Sequence, residues 1–235
     1  MDDRTLERIG ALTGVAFVIL TLLSAFMYPQ QPRVDSSPTT TLAWVHAHRT
    51  ALQAGMILGL FAAGVFVWFV GHLRHVLDRA EGGAESLSPI VFGSGVAVAV
   101  MSALAALPLV ILAFMDAQQG SIQDPALVRM LGDLTTVFFA VVSVMIAVFL
   151  CATGLAMVRK EMVAPWLGWV SLLAAILNGV AVWMGVTFST YHGKAWGVVG
   201  WGAFVGFILV VLVASASMLR RPVDLRVTTP PVAVS

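Results

Sequence analysis

The chain has 235 residues, of which 59% are apolar and only 11% charged, and its mean hydropathy is +0.94. A soluble domain carries roughly 25% charged residues, so too little polar side chain is present to wet a globule, and a water-soluble fold is excluded. The net charge of +1 gives no basis for a nucleic-acid partner, and the single cysteine, Cys151, excludes an internal disulfide or a Cys-rich metal site.

A helix needs ~20 apolar residues to cross ~30 Å of hydrocarbon. Six runs free of Asp, Glu, Lys and Arg lie between Arg8 and Arg33, Arg49 and Arg74, Glu85 and Asp116, Asp133 and Arg159, Glu161 and Lys194, and Lys194 and Arg220. Each holds 24 to 32 residues, enough for one crossing and too few for two. The prediction is an all-α, polytopic six-transmembrane-helix bundle with spans near 9–27, 51–72, 90–115, 134–157, 164–187 and 195–219. Lipid-facing barrel strands would alternate in polarity, which these runs do not. The six spans form one domain over 1–221, and 222–235, with Pro230-Pro231, is expected to be a disordered cytoplasmic tail.

In chain order, the first span follows Asp2, Asp3 and Glu7, an acidic lead that does not suit a cleaved signal peptide, so it is expected to be a retained helix. The connection from Tyr28 to Arg49, rich in Pro, Ser and Thr, is expected to begin extended and end as a short helix. Span two should continue past the membrane with an Arg74–Asp78 ion pair and stop at Gly82 or Gly83. Gly93-Ser94-Gly95 reads as a packing notch in span three. Asp133, after Gly132 and before Thr135-Thr136, reads as the carboxylate at the start of span four, or as a partner of Arg49 or Arg129. Cys151 reads as a small buried apolar residue, and Pro165 opens span five. Glycine pairs four apart (Gly10 and Gly14, Gly55 and Gly59, Gly202 and Gly206) are expected to let helices approach closely within the molecule, with a homodimer face as the alternative.

Orientation follows the distribution of Lys and Arg. With the N-terminus inside, inner segments hold Arg4, Arg8, Arg74, Arg79, Arg159, Lys160, Arg220, Arg221 and Arg226, against Arg33, Arg49, Arg129 and Lys194 outside. Nine against four predicts both termini in the cytoplasm. All seven tryptophans fall near span ends, where amphipathic rings prefer the headgroup level.

Chemistry-bearing residues are few. No Asp, Glu, Lys or Arg lies within the spans, which counts against a proton- or ion-coupled carrier. Asn178 and Gln53 are the strongest uncharged polar groups and are candidate cavity-lining, ligand-binding residues, with an interhelical hydrogen bond as the structural alternative for Asn178. His46, His48, His192 and Asp116 fall on the outer side and form a candidate site for a divalent transition metal. If His46 and His48 are helical, however, they point about 200° apart. His72 and His75 share an inner helix face with no matching histidine elsewhere on that side, and read as interfacial.

Arg49 at the start of span two, Leu73-Arg74-His75-Val76-Leu77 closing in Glu81-Gly82-Gly83, and Pro165-Trp166-Leu167-Gly168-Trp169 resemble a broad group of uncharacterised multi-pass membrane proteins common in actinobacteria. The resemblance implies a six-helix bundle in a bacterial plasma membrane, and carries no activity or site residues with it. The function expected first is a non-catalytic membrane module: an accessory subunit working with a membrane-protein partner, or a binder of lipid or a small apolar ligand. A small-solute transporter or channel is the alternative, and a metal-dependent membrane enzyme using the outer His/Asp set the third reading.

Overall fold

A computed structural model describes residues 3–28, 32, 36–81, 87–119, 124–160, 165–188 and 194–220. It consists of six α-helices: α1 (Asp3–Met27), α2 (Pro38–Glu81), α3 (Leu87–Gln119), α4 (Pro125–Lys160), α5 (Pro165–Phe188) and α6 (Lys194–Arg220). All six are long and apolar enough to cross a membrane, and their outward faces are apolar too: Ile19, Phe26, Phe61, Leu173, Ile176 and Val198 are exposed. That surface is stable in lipid and not in water. The expectations at Arg33, at Gly82 and Gly83, at His192 and over 222–235 lie outside the described residues.

Each helix packs on the next in sequence, and α6 returns to α1, so the six close into an up-and-down ring, with α2 also reaching across to α4. Three helices begin on proline (α2, α4 and α5), where the missing N–H is one of the unbonded donors of the first turn. Ser37 caps α2 by accepting the Thr40 N–H at 3.2 Å, so the helix starts at Pro38 and runs unbroken through the segment expected to be partly extended. At ~1.5 Å per residue, the 44 residues of α2 and 36 of α4 far exceed the membrane thickness. The start of α2, the end of α3 and the start of α4 therefore extend beyond the span ends and enclose their own apolar cluster, with Val45, Leu52, Leu112, Ala113 and Val128.

That extension overturns the reading of Asp133. The residue is exposed within α4, well past its first turn, and no ion pair joins it to Arg49 or Arg129. The carboxylate at the helix start is Asp124, whose Oδ1 accepts the Ala126 N–H at 2.8 Å. Cys151 is likewise exposed rather than buried. It continues an outward stripe of α4, Val144, Val148 and Leu155, whose spacing of three and four keeps one side toward lipid. The Arg74–Asp78 pair does not form: Asp78 accepts from the Ser88 hydroxyl at 3.3 Å, and the Arg74 guanidinium stands 5.3 Å from the Phe92 ring centroid.

Close helix approach follows the small residues only in part. A Cβ on Gly10 would collide with His72, one on Gly14 with Ser215 and Phe69, and one on Gly206 would stand 2.9 Å from the Ala174 Cβ. Gly202 and Gly93, by contrast, have no neighbour within 4 Å and are not packing notches within the described bundle, whereas Gly95 of the same cluster as Gly93 is one: a Cβ there would stand 2.6 Å from Val70. Interhelical hydrogen bonds from Ser24 to the Gly55 carbonyl and from Ser171 to the Leu150 carbonyl, both 2.8 Å, join α1 to α2 and α5 to α4. In hydrocarbon such bonds are worth about 1 kcal/mol each.

Candidate functional site: a chamber inside the helix ring

A ring of six helices leaves space at its centre, and what fills that space differs along the axis. Toward the end bearing Arg74 it is filled by phenylalanines. Phe17, Phe66, Phe69, Phe149 and Phe207 come from four helices, and their neighbouring ring centroids lie 4.4 to 6.1 Å apart in tilted, stacked and edge-on contacts. All five are buried. Toward the end bearing Tyr28 the inward positions are small instead, among them Gly55, Gly59, Ala63, Ala103, Ala106 and Ala140, and a chamber of about 550 Å³ remains. Ligand sites commonly run from about 300 to 1,000 Å³. Leu60, Phe139 and Trp201 line it and yet remain 44%, 50% and 65% exposed, so it is not sealed from its surroundings.

Pro108 interrupts the backbone ladder of α3. Lacking an N–H, it leaves the Leu104 carbonyl without its helical donor beside the chamber-lining Ala105, Ala106 and Leu109.

The wall is apolar with a few neutral polar groups. Asn178, 3% exposed, donates through Nδ2 to the Ala174 carbonyl of its own helix at 2.8 Å and toward the Ala203 carbonyl of α6 at 3.5 Å. It therefore tethers α5 to α6 while facing the chamber. Thr135 donates to the Leu131 carbonyl at 3.1 Å and Ser143 to the Phe139 carbonyl at 3.0 Å. At the chamber's end Tyr28 lies over Gly55 so closely that a Cβ there would stand 2.7 Å from the ring. The hydroxyls of Tyr28 and Thr21 are buried without a hydrogen-bond partner, and burial raises the Tyr28 phenol above its ordinary pKa of 10.0. Among the described lining residues none is Asp, Glu, Lys, Arg or His.

The sequence candidates divide accordingly. Asn178 lines the chamber; Gln53, half-buried on α2, is not among its described lining residues. His46 and Asp116 meet beyond the chamber's end, Nδ1 to Oδ2 at 2.9 Å, with the carboxylate 4% exposed and the imidazole 73% exposed. His48 turns away, its Nδ1 on the Trp44 carbonyl at 2.8 Å and its ring centroid 5.3 Å from that of the indole. The divergence follows from α2 being helical there. His192 lies outside the described residues, among which no cluster of three His, Cys, Asp or Glu has metal-site spacing. Of the chamber's small residues, Gly55 and Gly59 stood out in the sequence as a close-approach pair; the alanines did not, and their signal was the density of Ala between positions 103 and 106.

The fold and site define a polytopic α-helical membrane protein with an interior chamber plugged at one end by aromatic rings. No protein-family model, curated protein or solved structure matches the chain.

Proposed function

We propose that the protein binds an apolar small molecule or lipid within the membrane, in the chamber between its six helices. The observation that carries this reading is the chamber itself: about 550 Å³, walled by apolar side chains with a few fixed neutral polar groups. That is the composition of a site whose affinity comes from desolvation and whose orientation comes from a small number of hydrogen bonds. The partly exposed Leu60, Phe139 and Trp201 give a ligand a way in. The buried phenylalanine stack obstructs the far end, which favours binding over through-flux and makes a channel the weaker reading. On the charge distribution and the resemblance given above, the setting is a bacterial plasma membrane with both termini cytoplasmic.

The test uses the full chain in detergent and an uncharged naphthyl fluorophore that brightens in apolar surroundings. One saturable site is expected, lost in Ala106→Phe, which places a large ring in the chamber. Native mass spectrometry of the same material should show a lipid-sized adduct on the parent and none on the variant. Unsaturable partitioning identical in both proteins would overturn the reading.

A further inference from the structure

We infer that the chamber selects an uncharged lipid whose head carries a free hydroxyl; the inference rests on the reading of the chamber as a ligand site. Two properties of the wall lead to it. First, among the described lining residues there is no Lys, Arg, His, Asp or Glu. A carboxylate, phosphate or ammonium head would lie in an apolar space without a counter-charge, at a cost that hydrogen bonds alone do not offset. Second, few of the wall's polar groups have a donor to offer: among the described lining residues only Ser102 and Trp201, both exposed, keep accessible uncommitted donors. Asn178 has directed Nδ2 to the Ala174 and Ala203 carbonyls. Because both partners are acceptors, the amide orientation is fixed with nitrogen toward them, and Oδ1 is left with no donor among the described residues.

The hydroxyls of Ser24, Thr135 and Ser143 are likewise directed to the carbonyls of Gly55, Leu131 and Phe139, leaving their lone pairs. The unpartnered hydroxyls of Thr21 and Tyr28 are closed off within the wall. Away from Ser102 and Trp201 the wall is thus rich in acceptors and poor in donors. A ligand bearing only acceptors, such as an ester or ether, is served only by Ser102 or Trp201; one bringing an O–H also meets acceptors, Asn178 Oδ1 first, that receive no donor from the protein.

The experiment measures displacement of the naphthyl fluorophore from the full chain by cetyl alcohol, cetyl methyl ether and palmitate at neutral pH. The alcohol should bind about fivefold tighter than the ether, the ratio expected for one net hydrogen bond, with palmitate weakest of the three. In Asn178→Leu the ratio of alcohol to ether affinity should shrink toward one. Equal binding of alcohol and ether to the parent protein, or palmitate ahead of both, would overturn the inference while leaving the chamber a ligand site. Failure of all three ligands, together with no saturable fluorophore site, would remove the chamber reading itself. The parent-protein comparison needs no variant, so a misfolded Asn178→Leu does not rescue the inference.

Discussion

Gly154 of α4 and Gly168 of α5 face each other so closely that a Cβ on Gly154 would stand 2.9 Å from the Gly168 carbonyl oxygen, and one on Gly168 would stand 3.0 Å from the Gly154 carbonyl oxygen. The Val158 and Leu172 side chains also stand in the way, but the backbone on both sides cannot swing aside as they can. Alanine at either position gains about 1 kcal/mol in helix propensity and loses about 1–3 kcal/mol to overpacking. With backbone in the way overpacking wins, and Gly154→Ala should unfold earlier than the parent by up to about 2 kcal/mol in a detergent denaturation series. Gly202→Ala, with nothing within 4 Å of the added carbon, should be unchanged or slightly stabilised. Equal effects at the two sites would show that the α4–α5 crossing is looser than its geometry.

The start of α4 is set by Asp124, whose Oδ1 holds the Ala126 N–H at 2.8 Å, followed by Pro125. Replacing Asp124 with alanine should cost about 1 kcal/mol, the usual loss for a helix cap. Asp133→Ala should fall within about 0.5 kcal/mol of the parent, as exposed positions without partners do. The same denaturation series separates the two. A larger loss at Asp133 than at Asp124 would move the helix start back to the place where the hydropathy begins.

That contrast marks what was legible in the sequence. A charged side chain in hydrocarbon is expensive enough that charge-free runs alone locate six spans, and all six are helices. The same rule says nothing about where a helix goes after leaving the hydrocarbon. It therefore placed the start of span four at Asp133, missing the two further turns from Pro125, and expected only a short helix ahead of the span at position 51, where Ser37 caps one continuous α2 that begins at Pro38. The chamber was less legible still. Asn178 stood out because an amide is rare in such a run, but the hollow beside it depends on how glycines and alanines from several helices meet, and no single run encodes that. His46 and Asp116 were visible as residue types, and only the fold brings them together across 70 positions.

The contact between His46 and Asp116 binds α2 to α3 beyond the chamber. The carboxylate is 4% exposed and set among apolar side chains, whereas the imidazole is 73% exposed. A partner so open to solvent places the pair nearer to surface values than to those of a buried ion pair. A double-mutant cycle on His46→Ala and Asp116→Ala should give a coupling of about 1 kcal/mol, with Asp116→Ala alone nearly silent once His46 is gone. Additive losses would mean that the 2.9 Å contact contributes nothing to stability in solution.

Tyr28 combines a tightly packed ring with a hydroxyl that makes no hydrogen bond. Removing the oxygen forfeits no partner and relieves a buried polar atom, so Tyr28→Phe should be at least as stable as the parent at neutral pH, gaining up to about 1 kcal/mol. Tyr28→Ala would lose the packing over Gly55 and should be clearly weaker. The alkaline side gives a second reading of the same atom. Burial raises the phenol above 10.0, which means the fold favours the neutral form. The stability linked to it is fully present below about pH 10 and is lost as pH climbs through the raised value. The parent should therefore lose more thermal stability than Tyr28→Phe between pH 8 and pH 11, because only the parent must bury or expel a phenolate at this position. An identical alkaline decline in both proteins, or a neutral-pH loss in Tyr28→Phe above about 1 kcal/mol, would mean that the hydroxyl has a partner in solution and that this end of the chamber is arranged differently.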